Sequence, residues 1–242
     1  MQLRRLILAP LLGALVVSLT GCVWLRLLAF KNQLADFDRY VKVEDGQGLT
    51  LQFVKPVLYT KDLLFLMQLE PTSRATNGGA QTWFWTFVKE DAQSNAVPDN
   101  LNLTFSTSFD GNKLTAFTFS ERLVTTIPKP FLLALIQAFG RAEVDRKNRS
   151  VNFTLTKSFL EKDKWRELSR GAVTRMLGTP CSASVTNNVS TSFYRYRIDS
   201  PGLGTNESLR VSAKFSFSDA TEALTRFEGA YADFRYSFNF QE

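Results

Sequence analysis

Two thiols, Cys22 and Cys181, and a scatter of carboxylates are the reactive side chains on offer, because the 242 residues include no histidine. That absence removes the commonest general base and the commonest protein ligand for zinc or copper. Carboxylates come close together in Asp36 with Asp38, Glu44 with Asp45 and Glu90 with Asp91, all at expected strand ends or turns. Adjacent residues on a strand point to opposite faces, whereas acid–base work needs two acids converging in a cleft, so these read as solvated charge. Gly-x-Ser-x-Gly, Ser-x-x-Lys, His-Glu-x-x-His and phosphate-loop patterns are missing from the sequence. Gly202-Leu203-Gly204 lacks a third glycine and reads as a turn beside Pro201. No catalytic residue, metal ligand or cofactor is assigned, and the chain is read as not an enzyme.

What remains is binding chemistry. Arg195 and Arg197 share one face of a strand, and Arg210 and Lys214 lie on the polar face of a strand expected nearby. Four cations in that arrangement form a candidate binding patch for phosphates, anionic lipid or an acidic partner, against the plain reading of a solvated sheet face. Trp83, Trp85, Tyr194 and Tyr196 could stack on sugars or grip an acyl chain, but their equivalent spacing in two parts of the chain fits a shared core better. With 29 basic and 23 acidic side chains, the formal charge of +6 is too mild for a nucleic-acid binder.

The chain's address is set near its start. After Arg4 and Arg5, residues 6–19 are uncharged and apolar, long enough for a secretory signal and short for a membrane span. Leu19-Thr20-Gly21-Cys22 closes that run and resembles the lipobox of bacterial lipoproteins. The resemblance implies that 1–21 is a signal peptide, and that Cys22 receives a diacylglycerol thioether and becomes the acylated first residue. Two or three acyl chains, at about 0.8 kcal/mol per buried methylene, hold permanently where one would exchange. In such lipoproteins an Asp after the cysteine retains the protein in the inner membrane. Val23 therefore implies an outer-membrane, lipid-anchored protein facing the periplasm. Removing Arg4 and Arg5 from the 29 basic residues leaves 27 against 23 acids. With Cys22 lipidated, Cys181 has no internal disulfide partner and is expected to be buried and inert.

Periodicity supplies the elements. Trp24, Leu27, Leu28, Phe30 and Leu34 predict a helix over 23–35, docked on its own sheet rather than lying on lipid. Strands follow at 37–44 and 49–55, then a helix capped by Thr60 and ended by Pro71. Further strands are expected at 81–89, 101–109 and 113–121, and a helix from Pro128 and Pro130 to Phe139. Thereafter the order repeats: a strand at 151–155, a helix from about Lys162 to Leu177, an aromatic strand at 193–196 and a strand at 209–217. Phe234, Tyr236, Phe238 and Phe240 mark a last strand over 232–240. The expectation is an α+β fold of two tandem repeats, 22–127 and 128–242, each with helices packed on an antiparallel sheet.

Within the second half, a helix, Leu177-Gly178-Thr179-Pro180 and an aromatic strand with Tyr194 and Tyr196 resemble the small lipoprotein of the outer-membrane β-barrel assembly machinery. The tandem arrangement resembles the secreted β-lactamase inhibitor proteins. The similarity covers mainly Trp165 to Phe217, and the extra N-terminal helix and hairpin depart from both families, so no binding residue carries over. The leading expectation is a non-catalytic lipoprotein joined to the membrane through Cys22 and binding a protein or envelope component, with no nucleic-acid partner. Alternatives are a lipid carrier or inhibitor with a pocket between helices and sheet, and an envelope enzyme built on carboxylates.

Overall fold

The computed structural model describes residues 23–46, 48–126, 129–145, 150–155, 168–198, 200–201, 210–231 and 234–240. The expected signal segment, Cys22, Gly202-Leu203-Gly204 and the helix start expected near Lys162 lie outside them. Helices α1 (23–35) and α2 (Phe37–Tyr40) lead into strands β1 (Val41–Gly46) and β2 (Gly48–Phe53). Phe37 falls one helical turn after Leu34 and both are buried, so the apolar period carries the chain on as helix where a strand was expected from 37. Helix α3 (Thr60–Met67) is capped by Tyr59 rather than Thr60, the Tyr59 amide donating to Asp62 Oδ2 at 2.9 Å. It stops at Gln68, whose φ is 53°.

Strands β3 (Ser73–Asn77), β4 (Ala80–Glu90), β5 (Leu103–Asp110) and β6 (Lys113–Ser120) follow, then helices α4 (Glu121–Thr126) and α5 (Lys129–Arg141). The second half adds β7 (Glu143–Asp145), β8 (Ser150–Leu155) and helix α6 (Arg170–Leu177). It closes with β9 (Ser182–Thr186), β10 (Val189–Ile198), β11 (Arg210–Ser218), β12 (Leu224–Tyr231) and β13 (Phe234–Phe240).

These strands form a single 13-stranded sheet in the order β1-β2-β6-β5-β4-β10-β11-β12-β13-β8-β7, with β3 beside β4 and β9 beside β10. This overturns the expected α+β fold of two repeats with separate sheets. The protein is mostly antiparallel β, and β4 pairs directly with β10 from Phe87↔Ile198 to Glu90↔Arg195. The outer parts also differ: β2 joins β6 antiparallel, whereas β8 joins the additional strand β13 in parallel. Sequence periodicity could not reveal this, because a strand's alternation records its two faces and not its neighbours.

Short helices cover one face. Leu34, Phe37, Leu63 and Leu132 pack on Leu49, Leu51, Trp83, Trp85 and Phe109, while Val173, Met176 and Leu177 pack on Tyr194, Tyr196 and Phe217. The aromatic set is thus core. Each such side chain contributes roughly 1.5–3 kcal/mol by burial. On β10 the even-numbered residues from Ser190 to Ile198 are buried against the helices, and the odd-numbered ones from Thr191 to Arg197 are half exposed on the other face.

Candidate functional site

Strand register decides which cations meet. Arg197 lies opposite Arg210, Arg195 opposite Ser212, and Phe193 opposite Lys214. Directly opposed residues share a face, so Arg195, Arg197, Arg210 and Lys214 all stand on the half-exposed side. The pairing continues outward, Lys214 facing Glu228 and Ser216 facing Arg226 across β12, then Ala230 facing Arg235 on β13. Arg226 and Arg235 therefore join a patch that sequence reading left at four residues. Their alternation was visible; that β11, β12 and β13 are consecutive neighbours was not.

The members are not equivalent. Arg195 donates to the carbonyls of Asp91 at 2.9 Å and Ala92 at 3.1 Å, so its guanidinium holds the loop after β4. Glu90, buried although charged, approaches Arg210 at 3.6 Å and Arg195 at 4.0 Å. Glu228 contacts Lys214 at 3.1 Å and Arg226 at 2.9 Å. Those last two pairs are about half exposed, and such surface pairs contribute about 0–1 kcal/mol, so Lys214 and Arg226 can exchange Glu228 for another anion cheaply.

Between these side chains the sheet face holds an open depression of about 360 Å³, lined by Phe193, Ser212, Lys214, Arg226, Glu228 and Arg235 among others. A second, of about 500 Å³, shares Lys214, Arg226 and Glu228 and continues toward Thr186 and Asn239. Among the described residues that line the two depressions, Glu228 is the one acid.

A second polar group lies on the covered face, at the junction of β4 and α6. Lys89 is 2% exposed; its Nζ donates to the Thr179 carbonyl at 2.5 Å and sits 5.5 Å from the centre of the Tyr194 ring. Burial holds its pKa below the usual lysine range, with Cys181 opposing that shift and Arg122 adding to it. Arg122 donates to the Met176 carbonyl at 2.9 Å. Two cations from α4 and β4 thus meet the carbonyl end of α6, where the helix dipole favours positive charge.

Leu177-Gly178-Thr179-Pro180 gains its explanation there. Gly178 has φ 71°, and a Cβ would lie 2.8 Å from Leu101 Cδ1 and 3.0 Å from Lys89 Nζ. Cys181 donates from Sγ to the Glu90 carbonyl at 3.1 Å and from its amide to Phe193 O at 2.8 Å. Lys89, Arg122 and Cys181 each reach a backbone carbonyl from the other half of the sheet, so the group ties the halves together.

The fold and its site define a class: a largely antiparallel sheet with one face covered by short helices and, on the other, a half-exposed cationic patch across β10–β13. No protein-family model matches the chain, and no curated protein or solved structure matches it significantly. Among the described residues no helix is long and apolar enough to cross a membrane.

Proposed function

We propose that this is a lipid-anchored, non-catalytic binding protein of the outer membrane. Acyl chains on Cys22 hold it, and it takes an anionic protein or envelope component on the bare face of β10–β13. The observation that carries this reading is the row of cations across four consecutive strands, set against Glu90 and Glu228 and opening onto the depressions at Lys214. A sheet face several strands wide suits an extended acidic surface, since adjacent strands lie about 4.8 Å apart and repeat their cations at that spacing.

The test is a photoreactive amino acid at Ser212, on the same face, in intact cells. The expected result is a discrete crosslinked product that disappears when Arg197, Arg210 and Lys214 are changed together to Glu. In parallel, Cys22→Ser abolishes palmitate labelling and membrane retention. A product unchanged by the triple reversal removes the cationic face from the reading, and a Cys22→Ser chain that still labels removes the anchor.

A further inference from the structure

Four large apolar side chains gather on the surface where α1 begins: Trp24, Leu25 and Leu28 of α1 and Phe65 of α3 are 53%, 68%, 49% and 48% exposed. Trp24 and Phe65 meet edge to face with ring centroids 5.9 Å apart, so two helices build one patch. At about 100° per residue, Trp24, Leu25 and Leu28 share one arc of α1, while Leu27, Phe30 and Leu34 share another. The second arc packs into the core, as expected for this helix; the first faces outward.

The patch is fixed to the body. Arg26 binds Asp62 of α3 through two contacts of 2.6 Å, and Asp62 is fully buried. Removing one partner of such a buried pair leaves an uncompensated charge, so α1 and α3 stay together. Gln33 donates to the Lys55 carbonyl at 2.7 Å. Farther along, Gly140 of α5 lies so close that a Cβ there would come within 2.2 Å of the Ala35 amide nitrogen.

Position and charge say what this surface meets. Val23 is already helical, and Trp24 and Leu25 follow Cys22 by two and three residues in the sequence, which is too short a stretch for a linker between that cysteine and the patch. Residues 23–35 carry Arg26 and Lys31 and no acid, and Asp62 is buried beneath Arg26. Tryptophan and cations of this kind favour the headgroup layer.

We propose that Trp24, Leu25, Leu28 and Phe65 enter the interfacial layer of the bilayer that holds the acyl chains of Cys22. This contact fixes the orientation of the whole protein instead of leaving it on a tether, and it rests on the reading of Cys22 as the acylated residue. An amphipathic helix lying in an interface sinks its apolar face about 5–10 Å, which the side chains of this patch can reach.

Tryptophan quenching tests it on the full chain reconstituted into phosphatidylethanolamine and phosphatidylglycerol vesicles with brominated acyl chains. The difference between wild type and Trp24→Phe isolates Trp24, and adding Phe65→Trp to Trp24→Phe moves the reporter to α3. Both reporters are expected to lose most of their emission to shallow bromines. If mass spectrometry finds Cys22 acylated and the chain floats with the vesicles, yet neither reporter is quenched, the membrane contact is overturned and the anchor stands. If Cys22 is unmodified and both reporters are still quenched by added vesicles, the contact stands and the anchor reading fails. Quenching of Trp24 without quenching at position 65 also overturns the two-helix patch, since it places only the chain's start in lipid.

Discussion

Cys181 and Arg195 show how much a side chain's meaning depends on what it faces. The sequence offers Cys181 as a buried thiol without neighbouring cations; in the fold it is half-buried, with its Sγ against the Glu90 carbonyl at 3.1 Å. A weak S–H donor in that place adds little, and an alanine fills most of the same volume. Cys181→Ala is therefore expected to cost at most about 1–2 kcal/mol in urea unfolding, and to leave membrane location and the Ser212 crosslink unchanged. Thiol labelling of the folded protein should be slow; rapid modification would make the thiol a contact for something else. Arg195 was a candidate ligand by type and strand position, but its bonds to Asp91 O and Ala92 O make it part of the frame. Arg210 sets its guanidinium against the same buried Glu90, whereas Lys214, 47% exposed and paired with the half-exposed Glu228, can turn to another anion.

At the scale of elements, α6 and the turn after it matter most, because Lys89 and Arg122 reach its carbonyl end from the other half of the sheet. Gly178→Ala must adopt φ near 71° and push against Leu101 Cδ1 and Lys89 Nζ. The expected cost is about 1–3 kcal/mol, read as a lower urea midpoint, and Gly178→Asn is no milder, because with ψ at −161° the residue lies outside the left-handed region that asparagine tolerates. An unchanged urea midpoint for either variant would overturn this account of Gly178. The hairpins β3–β4 and β9–β10 escaped sequence reading for a related reason. Every residue of β3 and of β9 is exposed, so neither carries an apolar alternation to find. Their turns did leave a trace, in Asn77-Gly78-Gly79 and in Asn187-Asn188, whose φ values are 50° and 61°.

For the molecule as a whole, the central sheet and its cross-half contacts predict an alkaline stability profile. Burial raises the pKa of Tyr196 and Tyr231 above the ordinary 10 and pushes Tyr236 up to about 12. Above pH 10 the unfolded chain therefore loses protons that the native chain keeps, so stability falls with rising pH, each tyrosine contributing up to about 1.4 kcal/mol per unit. Lys89 acts in the opposite sense. Its pKa is lowered by burial, so in the window below 10.5 the unfolded chain binds the extra proton and stability rises with pH. The urea midpoint should rise gently up to about pH 10 and then drop, and Lys89→Met should remove the rise without removing the drop. Tyr231 is the phenol whose ionisation acts across the halves, since it donates to the Met67 carbonyl at the end of α3. Tyr231→Phe should flatten the drop.

The sequence by itself determined which residues would be core and which would be wet. Trp83, Trp85, Tyr194 and Tyr196 read as core and are buried, and Arg195, Arg197, Arg210 and Lys214 read as one polar face and stand on one. These are consequences of local period, which the chain carries along its length. It also set the helices at 23–35 and from Lys129 to Arg141, whose apolar stripes are long enough to be unambiguous. Only the tertiary structure decided that β4 and β10 pair and merge the halves, that β13 lies between β12 and β8, and that Arg226 and Arg235 join the cationic face. Only it brought Phe65 to Trp24. Strand partners and helix contacts of this kind depend on shape and burial between segments far apart in the chain, and a single segment's pattern says which face is apolar without saying what will cover it.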